Sequence, residues 1–186
     1  MMILLILGVA LWWAAHGFKR VAPDARAAMG SKGRIVVTIA LLASVVLMVI
    51  GYRGAEFTSV YSPIPGIGHL SVLLMVVALW LAGVGAAKGV VASKIRHPML
   101  TGGLVWTLAH LLVNGDVASL VLFGGIGLWA PVQMMLINRH EGAWDRPAAG
   151  PVSKDIRVVV VAVIMALIIA AIHIFLGHNP FMGTYA

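Results

Sequence analysis

The sequence predicts an all-α, polytopic membrane protein with about six transmembrane helices and with the N-terminus and C-terminus both outside. Three observations lead there. The chain is 61% hydrophobic and only 10% charged, with a mean hydropathy of +1.03, whereas a soluble domain carries about 25% charged residues. Six apolar segments stand out at helix length, over residues 1–18, 35–51, 70–91, 99–113, 117–137 and 158–177. Finally, twelve of the thirteen Lys and Arg residues fall in alternate connections, over residues 18–34, 88–97 and 138–157, and only Arg53 lies elsewhere. The positive-inside rule places those three loops in the cytoplasm.

Taken in order, the first segment lacks the basic start of a secretory signal, because Lys19-Arg20 follows its apolar run. It reads as a retained span. The first and fourth segments are short for a bilayer that needs about 20 residues, so they extend into their flanks or meet a thinned membrane. Asn114-Gly115-Asp116 is a turn signal that makes the fourth and fifth spans an antiparallel hairpin. The outer loop over residues 52–68 carries Pro63-Ile64-Pro65-Gly66, which resists helix and suits a stiff cap. Its Tyr52, Phe57 and Tyr61 fit either interfacial aromatics or a binding lid. Small residues at Gly83, Gly85, Gly102, Gly103, Gly124, Gly125 and Gly127 let helix backbones approach closely. Pro131 is expected to kink the fifth span and, with Trp129 and Gln133, to shape a cavity. No internal repeat stands out and no loop is long enough for a soluble domain, so residues 1–186 form one transmembrane domain.

The net charge of +7 belongs to the flanks of the spans. No basic run interleaves with exposed aromatics, which argues against nucleic-acid binding. The absence of cysteine excludes disulfides, thiolate nucleophiles, cysteine-held iron–sulfur clusters and covalently attached haem. A metal or haem would rest mainly on histidine. No His-Glu-X-X-His pattern or i, i+4 histidine pair occurs, which argues against a zinc hydrolase, and a serine triad lacks its acid at membrane depth.

Seven histidines are available. His140 and His178 sit at polar ends and need no special explanation. His97 precedes Pro98 and serves either as an interfacial anchor or, with Arg96, as a polar site open to the cytoplasm. His110 and His173 are flanked by apolar residues on both sides. Between Pro98 and Asn114 everything suits hydrocarbon except the His110 ring and the hydroxyls of Thr101 and Thr107. A buried imidazole needs a hydrogen-bond partner or a metal. Two readings stand: a structural bond between helices, or an axial bond to haem iron from two spans. His16, at the inner edge of the first span, is a further candidate.

Arg96-His97-Pro98-Met99, Trp106-Thr107-Leu108-Ala109-His110-Leu111 and Asn114-Gly115-Asp116 resemble the NnrU family of bacterial inner-membrane proteins. Phe123-Gly124 through Trp129-Ala130, Pro63 through His69-Leu70, His16 and Gly142-Ala143-Trp144 extend the similarity over nearly the whole chain. The resemblance implies one NnrU-like domain in an inner membrane, linked to denitrification and nitric oxide metabolism. It also implies a relation to the plant 15-cis-ζ-carotene isomerase, which uses haem b to rotate a cis double bond at a redox-gated iron. On that resemblance His110 is an axial ligand of haem b and His16 its partner, with His173 as the alternative second ligand. The implied partners are the lipid bilayer and an apolar polyene or nitric oxide.

This sequence departs from the isomerase in having Thr107 where the isomerase has a cysteine ligand, so a switch from histidine to thiolate is impossible. Depth adds a second tension. His110 lies about 18 Å of helix rise beyond Pro98, while His16 lies near the inner face. One iron shared by both requires the first helix to tilt, shift or run on past Lys19; depth alone favours His173. Two other functions remain open. Arg96-His97-Pro98 with Gly102 resembles isoprenylcysteine carboxyl methyltransferases, although Arg139-His140-Glu141-Gly142 lacks their paired glutamates. A non-catalytic transport or assembly component would use its histidines only as interhelical bonds.

Overall fold

A computed structural model describes residues 1–181, and residues 182–186 lie outside the described part. Among the described residues every long element is helical and no β-strand forms. The elements are α1 (Met2–Val21), α2 (Pro23–Ala28), α3 (Lys32–Arg53), α4 (Ile67–Ala87), a 3₁₀ turn (Val91–Ser93), α5 (Pro98–Leu111), α6 (Val117–Ser119), a π-helical stretch (Leu120–Gly124), α7 (Gly125–Glu141) and α8 (Val152–Phe175). All six predicted apolar segments are helices. Five are long and apolar enough to cross a membrane: α1, α3, α4, the continuous run Val117–Glu141, and α8. The fourth segment, α5, has 14 residues, about 21 Å of rise against a hydrocarbon core of about 30 Å.

The helix ends differ from the apolar windows for local reasons. α1 runs through Lys19 and Arg20 to Val21, because long basic side chains continue a helix while their charges reach the interface. α4 begins at Ile67, after Gly66 adopts φ 82°, a conformation open to glycine. It stops at Lys88 rather than continuing to residue 91. The amides of Val90 and Val91 donate to the Asp155 carboxylate at 2.7 and 3.4 Å, so they are not available to a further helical turn. α8 starts six residues before its apolar window, directly after Pro151, whose fixed φ suits a helix entry.

The chain forms two compact units. The first holds Met1–Val60 and Asp116–Gly142, where α1 packs along α3 and also against α7. Glycine makes this packing possible: a Cβ on Gly51 would collide with the Leu5 backbone, and one on Gly8 would lie 2.8 Å from Met48. Leu5 is fully buried there. The second unit holds Tyr61–Gly115 and the residues from Ala143 onward, where α4 packs against both α5 and α8. A Cβ on Gly102 would meet the Ala78 carbonyl at 2.7 Å, and Ser71 Oγ donates to the Ala109 carbonyl at 2.8 Å.

Bulk is distributed as in a protein dissolved in lipid. Ile35, Ile39, Leu42 and Val46 of α3 and Val160, Ile164, Leu167 and Ile168 of α8 are exposed. Most positions turned inward are small or polar, among them Gly33, Ser44 and Gly51 of α3 and Ala162 and Ala170 of α8, with Met48 the large exception. Water would penalise such exposed area at roughly 25 cal/mol per Å², whereas hydrocarbon does not. The helices therefore present their apolar faces to a bilayer.

The close α1–α3 approach predicts that Gly51→Leu lowers stability by about 1–3 kcal/mol through overpacking. Gly103, whose added Cβ would have nothing within 4 Å, tolerates alanine with no loss. Thermal unfolding of the two variants in detergent separates these outcomes.

Candidate functional site

Three histidines inside the helices solve the same problem in the same way. His16 Nδ1 donates to the Trp12 carbonyl at 3.1 Å, His110 Nδ1 to Trp106 at 2.9 Å, and His173 Nδ1 to Ile169 at 2.8 Å. Each acceptor lies one turn earlier on the same helix. A carbonyl only accepts, so Nδ1 carries the hydrogen in all three rings, and the neutral imidazole keeps its lone pair on Nε2. Metal-bound histidines show the same outer bond from the non-ligating nitrogen to a carbonyl or carboxylate.

Two of the three turns also share their packing. The His16 ring lies 4.2 Å from the Trp12 ring, and His110 lies 4.8 Å from Trp106, centroid to centroid, at 45° and 52°. Ala15 and Ala109, immediately before each histidine, are buried. The pattern Trp-X-X-Ala-His thus occurs twice, at Trp12–His16 and Trp106–His110, once in each unit. The signal was available in the sequence, but a five-residue pattern is far below the 20–50-residue period of repeat folds. His173 has Ile169 in place of the tryptophan.

In the first unit Trp129 of α7 closes over His16 edge-on at 4.6 Å and meets Trp12 at 5.4 Å. Gln133, also buried, donates Nε2 to the His16 carbonyl at 3.3 Å. Trp129 and Gln133 therefore pack onto α1 instead of framing a cavity at Pro131, and α7 is helical through that proline. The irregular stretch of the span lies earlier, in the π-helical segment, just beyond which Gly125 accepts from Trp13 Nε1 at 3.0 Å. A groove of about 620 Å³ opens there beside Ile6, Val9, Trp13 and Val121. The indole N–H groups of Trp12 and Trp129 are buried and have no acceptor. An unpaired buried donor costs about 1–3 kcal/mol, so these two invite an acceptor the protein itself does not supply.

In the second unit the turn carrying His110 is tied down from several sides. The His110 carbonyl accepts from the backbone and side-chain nitrogens of Asn114, both at 2.9 Å. The Tyr61 hydroxyl lies against the Leu111 and Asn114 carbonyls, and Tyr61 N donates to the Gly115 carbonyl at 3.0 Å. Tyr61 thus clamps the end of α5 rather than acting as a lid. A Cβ at position 115 would collide with the Tyr61 carbonyl, which accounts for Gly115. Thr107 is buried with its hydroxyl donating to the Leu104 carbonyl at 2.8 Å. His173 belongs to the same unit. His16 belongs to the other unit.

The remaining histidines have humbler places. His97 caps α5, its carbonyl accepting from the Thr101 amide and hydroxyl, both at 2.9 Å, and Pro98 takes the first helical position as expected. His69, His140 and His178 are exposed. Among the described residues no three His, Asp or Glu side chains gather to hold a metal ion, so any metal chemistry falls to single imidazoles or pairs.

Two buried carboxylates escaped sequence reasoning. Asp116 accepts from the Ser119 amide at 3.0 Å and from its hydroxyl, and Ser119 Oγ meets the Tyr52 hydroxyl at 2.9 Å. Tyr52 in turn stands edge-on to Phe123. Asp116 reads in the sequence as a turn residue, and an N-cap is the only hint it offers. Asp155 reads as one charge among many in a basic loop, while the fold buries it as the acceptor for Val90 and Val91.

Long lipid-facing helices, close glycine contacts and single histidines held within the spans define a multi-pass helical membrane protein. The profile of the NnrU protein family matches residues 4–180. The chain belongs to that family. No curated protein and no solved structure matches it.

The Asp116 cap predicts that Asp116→Ala destabilises the first unit by about 1–2 kcal/mol. Tyr52→Phe costs about 1 kcal/mol. Both act through Ser119, so unfolding in detergent should give a double variant that loses less than the sum.

Proposed function

We propose that this NnrU-family protein binds haem b in a bacterial inner membrane and serves nitrogen-oxide metabolism, as a nitric oxide-responsive protein or a redox-gated cis–trans isomerase of an apolar polyene. In this reading α5 completes six crossings, the three basic loops are cytoplasmic and both termini are outside. The observation that carries the reading is the pair of Trp-X-X-Ala-His turns, each presenting an imidazole whose Nδ1 is already spent on a carbonyl.

That donor set fits haem. His110 and His16 would hold the iron through Nε2, and the shared tryptophan packing favours His16 over His173 as partner to His110. The Trp12 and Trp129 indole N–H groups would donate to the carboxylates of the porphyrin. When bound, haem supplies a one-electron couple and an affinity for small diatomic ligands. The chain's own work is to orient: the Nδ1–H bonds stop ring rotation, Tyr61 and Asn114 hold the end of α5, and Gln133 holds the last turns of α1. Thr107, bonded to Leu104, would leave the holding of the iron to histidine.

Reduced-minus-oxidised spectra of the protein, purified after haem-sufficient expression, are expected to show b-type bands. His110→Ala and His16→Ala each remove most of the bound haem, and His173→Ala retains it. A wild-type protein without a Soret band contradicts haem binding. Retention in His16→Ala with loss in His173→Ala moves the second ligand to His173.

A further inference from the structure

Within the second unit, α4 and α8 leave a groove of about 380 Å³ on their outer surface. One wall is a stripe of α4 with Leu79 and Gly83; the other is a stripe of α8 with Val158, Val161 and Met165. The groove exists because α4 carries glycine where α8 carries valine: a Cβ on Gly83 would lie 2.8 Å from Val158 Cγ1. At one end the lining changes character, to Lys154 and Arg157. These two stand one turn apart and share a face with Val158 and Val161.

Among the described residues neither cation forms an ion pair. The ion pair among the described residues joins Arg20 and Glu141. The carboxylate between the two cations in sequence, Asp155, is buried and accepts from Val90 and Val91. From Lys154 to Met165 the α8 stripe rises about 16 Å, one leaflet of a hydrocarbon core about 30 Å thick. The site is thus apolar over the depth of one leaflet and doubly positive at the level where lipid phosphates lie.

We propose that the α4–α8 groove binds an anionic phospholipid, its phosphate on Lys154 and Arg157 and one acyl chain against Gly83, Val161 and Met165. Charge complementarity selects an anionic headgroup, and the apolar groove continuous with it selects a lipid over free phosphate. Each basic residue near a membrane surface adds about 1 kcal/mol for anionic lipid, which is roughly five-fold in affinity.

Native mass spectrometry of the detergent-purified protein tests this with phosphatidylglycerol, phosphatidylcholine of the same chains, and inorganic phosphate. Phosphatidylglycerol is expected to be retained at least ten-fold more strongly than phosphatidylcholine, and millimolar phosphate does not displace it. Lys154→Gln/Arg157→Gln weakens its retention about 25-fold, and Arg157→Gln alone about five-fold. Val161→Trp, at an exposed position, blocks the chain and weakens both lipids while the unfolding temperature holds. Equal retention of the two lipids, an unchanged double variant, or displacement by phosphate overturns the proposal.

Discussion

A polar ring in hydrocarbon must find its own hydrogen-bond partner, because no water is there to serve. His16, His110 and His173 each find it one turn back, at a main-chain carbonyl. That local solution has a distant consequence. It fixes which nitrogen carries the hydrogen, restrains the ring from turning, and puts the lone pair on Nε2. The close glycine contacts of α1 with α3 and of α4 with α5 matter because they hold still the helices from which those rings project.

The same economy governs the other buried polar groups. Ser44, Ser93 and Thr107 return their hydroxyls to carbonyls three residues earlier. Asp116 and Asp155 use backbone amides that would otherwise be orphaned at helix starts. The polar interior is therefore nearly self-satisfied, and the exceptions among the described residues are the buried indole N–H groups of Trp12 and Trp129 beside His16 and of Trp80 in α4. Unpaired donors around a ring with a free lone pair are what a binding site looks like before its ligand is considered.

Composition and apolar length made the helices legible, since a run of Val, Ile and Leu long enough for a bilayer has few other fates. Where the helices stop was less legible. α4 ends at Ala87, and the amides of Val90 and Val91 just beyond it go to Asp155, 65 residues after Val90; no local pattern encodes a partner brought by the fold. Asp116 looks like any turn aspartate until Ser119 and Tyr52 gather around it. Tyr61 looks like an interfacial aromatic until its hydroxyl is found at the end of α5. The site was partly legible: His110 stands out in an apolar helix, and Ala15-His16 with Ala109-His110, each four residues after a tryptophan, could have been matched by eye. The tautomer of each histidine was not legible, because it depends on helix geometry as much as on residue type.

The account stands on that tautomer. Histidine-selective ¹⁵N NMR of the haem-free protein in a bilayer, with His16→Gln, His110→Gln and His173→Gln for assignment, reads the tautomer of each ring directly. The structure predicts a protonated Nδ1 and a bare Nε2 at all three positions at neutral pH. Rings protonated on Nε2, with Nδ1 bare, would mean that the carbonyl bonds do not form and that the histidines serve no ligand in this way.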